Sequence, residues 1–80
     1  MKCVYLLQSV SNPRQRYIGL TSDVKARLAD HNAGKSPHTS RYRPWKLRLT
    51  LAFADDDKAA VFEAYLKTGS GWAFAKRHFW

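Results

Sequence analysis

The sequence predicts an α/β domain of the α+β kind over residues 1–80, with a small three-stranded mixed sheet flanked by helices in the order β-β-α-β-α-α. Three observations carry this. Two β-prone runs at the start flank one polar turn, the pattern of an antiparallel hairpin. Further on, Trp45 to Phe53 places an apolar residue at every second position, as a strand with one buried face does. Two segments led by acids, near Asp23 and Asp55, then carry apolar residues at helical spacing.

Residues 2–8, Lys-Cys-Val-Tyr-Leu-Leu-Gln, form the first strand. Ser11-Asn12-Pro13 marks the turn, and Tyr17-Ile18-Gly19-Leu20 resumes β character. Thr21 or Ser22 caps the first helix, with Asp23 favourable in its first turn. Val24, Leu28 and Ala29 give that helix a narrow apolar face, and Asn32 to Gly34 end it. A basic loop follows from Lys35 to Pro44, long for a domain of this size. After the third strand, Asp55-Asp56-Asp57 opens a helix through Ala59, Phe62 and Leu66 that stops near Thr68-Gly69. Gly71 to Phe79 reads as a short last helix.

Composition narrows the function. Fourteen Lys and Arg against six Asp and Glu give a formal charge of +8, which suits a polyanionic partner, nucleic acid before an anionic membrane. The single cysteine, Cys3, excludes an internal disulfide framework and a thiolate zinc site, and fits a reducing cytoplasm. The run Val4–Leu7 is too short for a membrane span or a secretory signal, so a cytoplasmic protein without a membrane anchor is expected. Gly69-Ser70-Gly71 lacks the Lys-Ser/Thr ending of a phosphate-binding loop, and His31, His38 and His78 lack metal-ligand spacing.

A few residues could carry chemistry. Glu63 lies on or beside the stripe of Ala59, Phe62 and Leu66, where a carboxylate needs a partner. Either a salt bridge to one of the many cations or a divalent metal would serve. Arg27 and His31, four apart, share a helix face away from Val24 and Leu28 and look outward. They form either a solvated cationic face or a phosphate clamp. Tyr5 and Tyr17 are strand residues that pack or, near cations, supply a phenolate. Gly19 lets the chain leave its strand for the helix, and gives a substrate backbone room to approach. Lys35, His38, Arg41 and Arg43 in the loop, with Lys76 and Arg77 near the end, are candidate DNA-binding residues. Trp45 is assigned to the strand rather than to base stacking.

Tyr5, Tyr17-Ile18-Gly19, Arg27, His31 and Glu63 together resemble the GIY-YIG nucleases, over about residues 2–67. The ending Leu66-Lys67-Thr68-Gly69-Ser70-Gly71 is similar to short stand-alone bacterial members. The resemblance implies a DNA endonuclease that hydrolyses phosphodiesters with one divalent metal, Mg²⁺ or Mn²⁺, and no small-molecule cofactor. By that analogy Glu63 holds the metal, Arg27 contacts the scissile phosphate, and Tyr17 is the general base, tuned by Tyr5 and His31. The first motif keeps only its tyrosine, in Cys3-Val4-Tyr5, and Leu20 stands where some members, such as the excinuclease nuclease domain, carry lysine. A late asparagine of some members has no counterpart here. Members usually gain target choice from added domains; an enzyme that is weakly specific, structure-selective or dependent on a protein partner is expected, cytoplasmic and nucleoid-associated when bound to DNA. The alternative is a nucleic-acid-binding module with little catalysis on the same fold.

Overall fold

The computed structural model describes all 80 residues. Strand β1 (Lys2–Ser9) leads through a hairpin loop to β2 (Arg16–Thr21), then helix α1 (Val24–Asn32), a 3₁₀ turn at Ser40–Tyr42, β3 (Trp45–Phe53), α2 (Asp56–Leu66) and α3 (Gly69–His78). The element order matches the one the sequence predicts. The sheet order is β2-β1-β3, with β1 antiparallel to both neighbours. The sheet is therefore antiparallel throughout rather than mixed: β2 and β3 run the same way, but β1 lies between them.

The central strand explains its own sequence. Val4, Tyr5, Leu6 and Leu7 are all buried, because both faces of β1 are covered. Val4 and Leu6, with Ile18, pack under Leu66 of α2 and Ala75 of α3. Tyr5 and Leu7 point the other way, into a second cluster with Trp45 that Tyr17, Val24, Leu28 and Tyr42 complete. Helices α2 and α3 thus cover one face, and α1 with the basic loop covers the other.

The alternation of β3 is broken in the structure. Leu6 pairs with Leu49 but Leu7 pairs with Leu47, so one extra residue, Arg48, is inserted at a bulge. An insertion of one residue reverses which face the following side chains meet. Leu49, Leu51 and Phe53 therefore pack toward α2 and α3, while Trp45 joins Tyr5 and Leu7 on the opposite face.

The helix starts are set by side-chain caps. Asp23, not Thr21 or Ser22, caps α1 by accepting from the Ala26 amide at 3.0 Å, while Thr21 Oγ1 accepts from the Asp23 amide. Asp55 caps α2 through the amides of Asp57 and Lys58. Thr68 caps α3 by accepting from Gly71 N at 3.1 Å, which starts that helix at Gly69, two residues before the sequence suggests. Gly34 ends the α1 turn at φ +78°, a conformation that favours glycine.

Candidate active site

Helix α1 buries Val24 and Leu28 partly and His31 completely. These positions stand at i, i+4 and i+7, so His31 continues the apolar stripe and faces the sheet. The outward orientation expected of His31 is thus corrected; Ala29, expected on the inner face, is exposed. Under the helix, His31 Nε2 meets the Tyr5 hydroxyl at 3.0 Å and His31 Nδ1 meets Thr39 Oγ1 at 2.7 Å. Tyr5 is 1% exposed and Thr39 1% exposed, so this row of polar groups is closed to solvent.

Arg27, one turn before His31, lies beside the Tyr5 hydroxyl. Thr39 Oγ1 donates to the Ser36 carbonyl at 3.5 Å and so accepts from His31 Nδ1–H, which leaves His31 Nε2 as the acceptor of the Tyr5 proton. Burial raises the Tyr5 pKa above the usual phenol value, and the Arg27 charge partly opposes this. Burial, followed by the charge of Arg27, lowers that of His31, which disfavours its protonated form. Arg27 is held charged above its ordinary value chiefly by the Tyr5 hydroxyl. On its outer side Asp30 Oδ2 meets Arg27 Nη1 at 3.5 Å, and Lys35 meets the same carboxylate at 3.5 Å.

Tyr17 completes the cluster. Its ring centroid lies 4.7 Å from that of His31 and 6.1 Å from that of Tyr5. Unlike Tyr5 it is only half-buried, and it lines an open cleft of about 310 Å³ with Arg16, Ile18, Leu66, Lys67 and Trp72. Gly19 makes the arrangement possible. It is the cross-strand partner of Tyr5, and a Cβ there would collide with the Tyr5 ring. The glycine therefore accommodates Tyr5 inside a regular strand; its φ is not positive, and the strand continues to Thr21.

The structure brings Tyr5, Tyr17, Arg27 and His31 together from three elements. Glu63 stands on α2, across the sheet face from α1, with its side chain 18% exposed and Oε2 2.6 Å from Lys67 Nζ. It meets the cluster indirectly, since Lys67 and Tyr17 line the same cleft. No group of three or more His, Cys, Asp or Glu side chains gathers anywhere in the chain. Glu63 does not itself line the cleft, and its carboxylate is paired with Lys67. A single carboxylate of this kind is compatible with Mg²⁺ or Mn²⁺, which need few protein ligands when phosphate and water supply the rest.

Among the basic candidates, Lys35, His38, Arg41 and Arg43 are on the loop beside Thr39, where they reach the surface. Lys76 and Arg77 are exposed on α3, in the opposite layer, so the candidates form two groups rather than one patch. No helix is long and apolar enough to cross a membrane.

Sequence reasoning missed the roles of Thr39, Asn32 and Lys67. Asn32 grips the start of β3 twice, donating to the Trp45 carbonyl at 3.1 Å and accepting its amide at 2.6 Å. The Trp45 indole in turn donates to the Thr39 carbonyl at 2.8 Å, which fixes the loop over His31. These contacts close through a loop without periodicity, and no spacing announces them. The Glu63–Lys67 pair is different: its i, i+4 spacing is a sequence signal.

Residues 1–72 match the family model of the GIY-YIG catalytic domain. The chain is similar to a UPF0213 protein of Streptococcus pneumoniae serotype 4, at 46% identity over 52 residues, covering 64% of this chain and 52% of that protein. It is also similar to a UPF0213 protein of Streptococcus pyogenes serotype M3, at 40% identity over 65 residues, covering 80% of this chain and 68% of that protein. A third relative is the structure-specific endonuclease subunit SLX1 of Meyerozyma guilliermondii, 42% identical over 71 residues, covering 80% of this chain and 24% of SLX1. The chain thus spans about half the length of the pneumococcal protein and a quarter of SLX1. With the family model covering nearly the whole chain and the tyrosines, arginine and histidine gathered at one site, this protein belongs to the GIY-YIG family.

Proposed function

We propose that the chain is a metal-dependent DNA endonuclease that hydrolyses phosphodiester bonds at the Tyr17 edge of the sheet. The observation that carries this reading is the division between the two tyrosines. Tyr5 is sealed and hydrogen-bonded to His31, whereas Tyr17, on the edge strand β2, packs against the same histidine and is only half-buried. Tyr17 is then the residue that a water molecule can reach. Once deprotonated to the phenolate, beside the Arg27 cation, it takes the proton as that water attacks phosphorus, and the bond to the leaving oxygen breaks with that oxygen protonated from solvent. Arg27 holds a non-bridging phosphate oxygen and stabilises the charge that develops there. Tyr5 and His31 orient Tyr17 and keep Arg27 in place.

Glu63 would hold the divalent metal, which when bound supplies Lewis-acid stabilisation of the phosphoryl and leaving oxygens. Lys67 holds Glu63 until substrate phosphate competes for the ammonium. Lys35, His38, Arg41, Arg43, Lys76 and Arg77 would contact the phosphate backbone. The similarity to a structure-specific endonuclease subunit supports cleavage selected by DNA structure and a protein partner; a part in DNA repair or processing belongs to the same proposal. Such an enzyme would work in the cytoplasm, where a bacterial nucleoid lies.

Nicking of supercoiled plasmid in Mg²⁺ or Mn²⁺, with EDTA and Glu63→Ala alongside, tests the proposal. Metal-dependent nicking lost in both controls is expected. A second reading, a binding module with little catalysis, is favoured by the tight Glu63–Lys67 pair, which occupies the carboxylate. Salt-sensitive DNA binding without nicking would select it.

A further inference from the structure

The cleft beside Tyr17 has a composition that phosphate contact alone does not explain. Ile18 and Leu66 form an apolar floor, and Trp72 of α3 stands at its rim with 49% of its surface exposed. An indole left half in solvent on an 80-residue protein is a large apolar surface without an internal partner. Two cations flank it, Arg16 and Lys67. The Arg16 guanidinium lies 4.9 Å from the centre of the Trp80 ring, and its Nε is buried without a hydrogen-bond partner. That cation is therefore positioned in advance, held by stacking and not by a carboxylate.

An aromatic wall, an apolar floor and cations on either side match one chemical unit: a nucleotide, with a flat base to stack and a phosphate to neutralise. A base inside a continuous duplex has both faces covered by its neighbours, so a base outside the stack, such as an unpaired one, offers a free face to Trp72. We infer that the cleft of Arg16, Tyr17, Ile18, Leu66, Lys67 and Trp72 receives a single unpaired nucleobase, stacked on Trp72, next to the phosphate that the site addresses. This rests on the reading of Tyr17 as the edge of a nucleic-acid site. It adds a substrate property: preference for DNA with an unpaired nucleotide at the contact point, over continuous duplex.

The test uses a DNA flap carrying 2-aminopurine at its unpaired junction position, and the same strand fully paired, with the Glu63→Ala protein so that no strand is cut. Stacking is expected to quench the fluorescence of the flap and not of the duplex. Adding Trp72→Ala should remove the quenching and weaken flap binding by about tenfold, with duplex binding and circular dichroism unchanged. Trp72→Phe, which keeps an aromatic face, should restore most of both. Equal flap affinity and quenching with and without Trp72 would overturn the inference while leaving the nucleic-acid reading intact. Failure of the Glu63→Ala and wild-type proteins to bind either DNA would overturn both.

Discussion

The ring of Tyr5 lies directly over the α-carbon of Gly19, its cross-strand partner, in space that any side chain at position 19 would fill. The contact sets where the Tyr5 hydroxyl goes, and through it where His31 sits. Gly19→Ala should therefore act on the site as well as on the strand. Overpacking costs about 1–3 kcal/mol, readable by chemical denaturation. Combined with Tyr5→Leu, which removes the ring, the alanine should lose most of its own cost, a coupling that a double-mutant cycle measures.

Thr39 is expected to matter more than its place in a polar loop suggests. Thr39→Val keeps the shape but leaves His31 Nδ1 without its partner. A buried polar atom stranded in this way costs about 1–3 kcal/mol. Thr39→Ser should retain most of the stability. A valine variant as stable as the wild type would show that the histidine finds another partner.

Stability should depend on pH through His31. Its folded pKa lies below that of the unfolded chain, because burial and Arg27 oppose protonation more than Asp30 favours it. The contribution is complete above the unfolded value of about 6.5, and is lost as pH falls from there through the folded value, since the unfolded state binds the extra proton first. Thermal melting at pH 7.5 and below 6.5 should show this loss. His31→Gln should flatten that part of the profile, since the carboxylates titrate at lower pH.

Arg41, exposed beside the buried Thr39, is expected to contact phosphate. Arg41→Ala should lower the slope of log affinity against log salt by about one for duplex DNA. Lys58→Ala, next to the acidic start of α2, should leave the slope unchanged.

Much of this fold follows from local patterns, and the departures have specific causes. The hairpin, the α2 start and the limits of β3 are written in β-prone runs, turn residues and acids. The face of β3 is not, because the bulge at Arg48 is a property of its pairing with β1 and leaves no trace in the alternating sequence from Trp45 to Phe53. His31 shows the opposite case. Its i+7 spacing from Val24 places it on the buried stripe, but a histidine among polar neighbours does not resemble a core residue until Tyr5 and Thr39 satisfy both its nitrogens. The site residues Tyr5, Tyr17 and Arg27 were legible as types at positions. Which tyrosine is sealed and which is open depends on the layers of the fold, whereas the Glu63–Lys67 pair follows from i, i+4 spacing on one helix.

The central claim is that the open tyrosine takes the proton and the sealed one supports it. The most direct measurement is the single-turnover cleavage rate of a DNA phosphodiester by Tyr17→Phe in saturating Mg²⁺, with DNA affinity measured in parallel. The account predicts a loss of about 10²- to 10⁴-fold in rate with affinity nearly unchanged. Cleavage by Tyr17→Phe at the wild-type rate would contradict it.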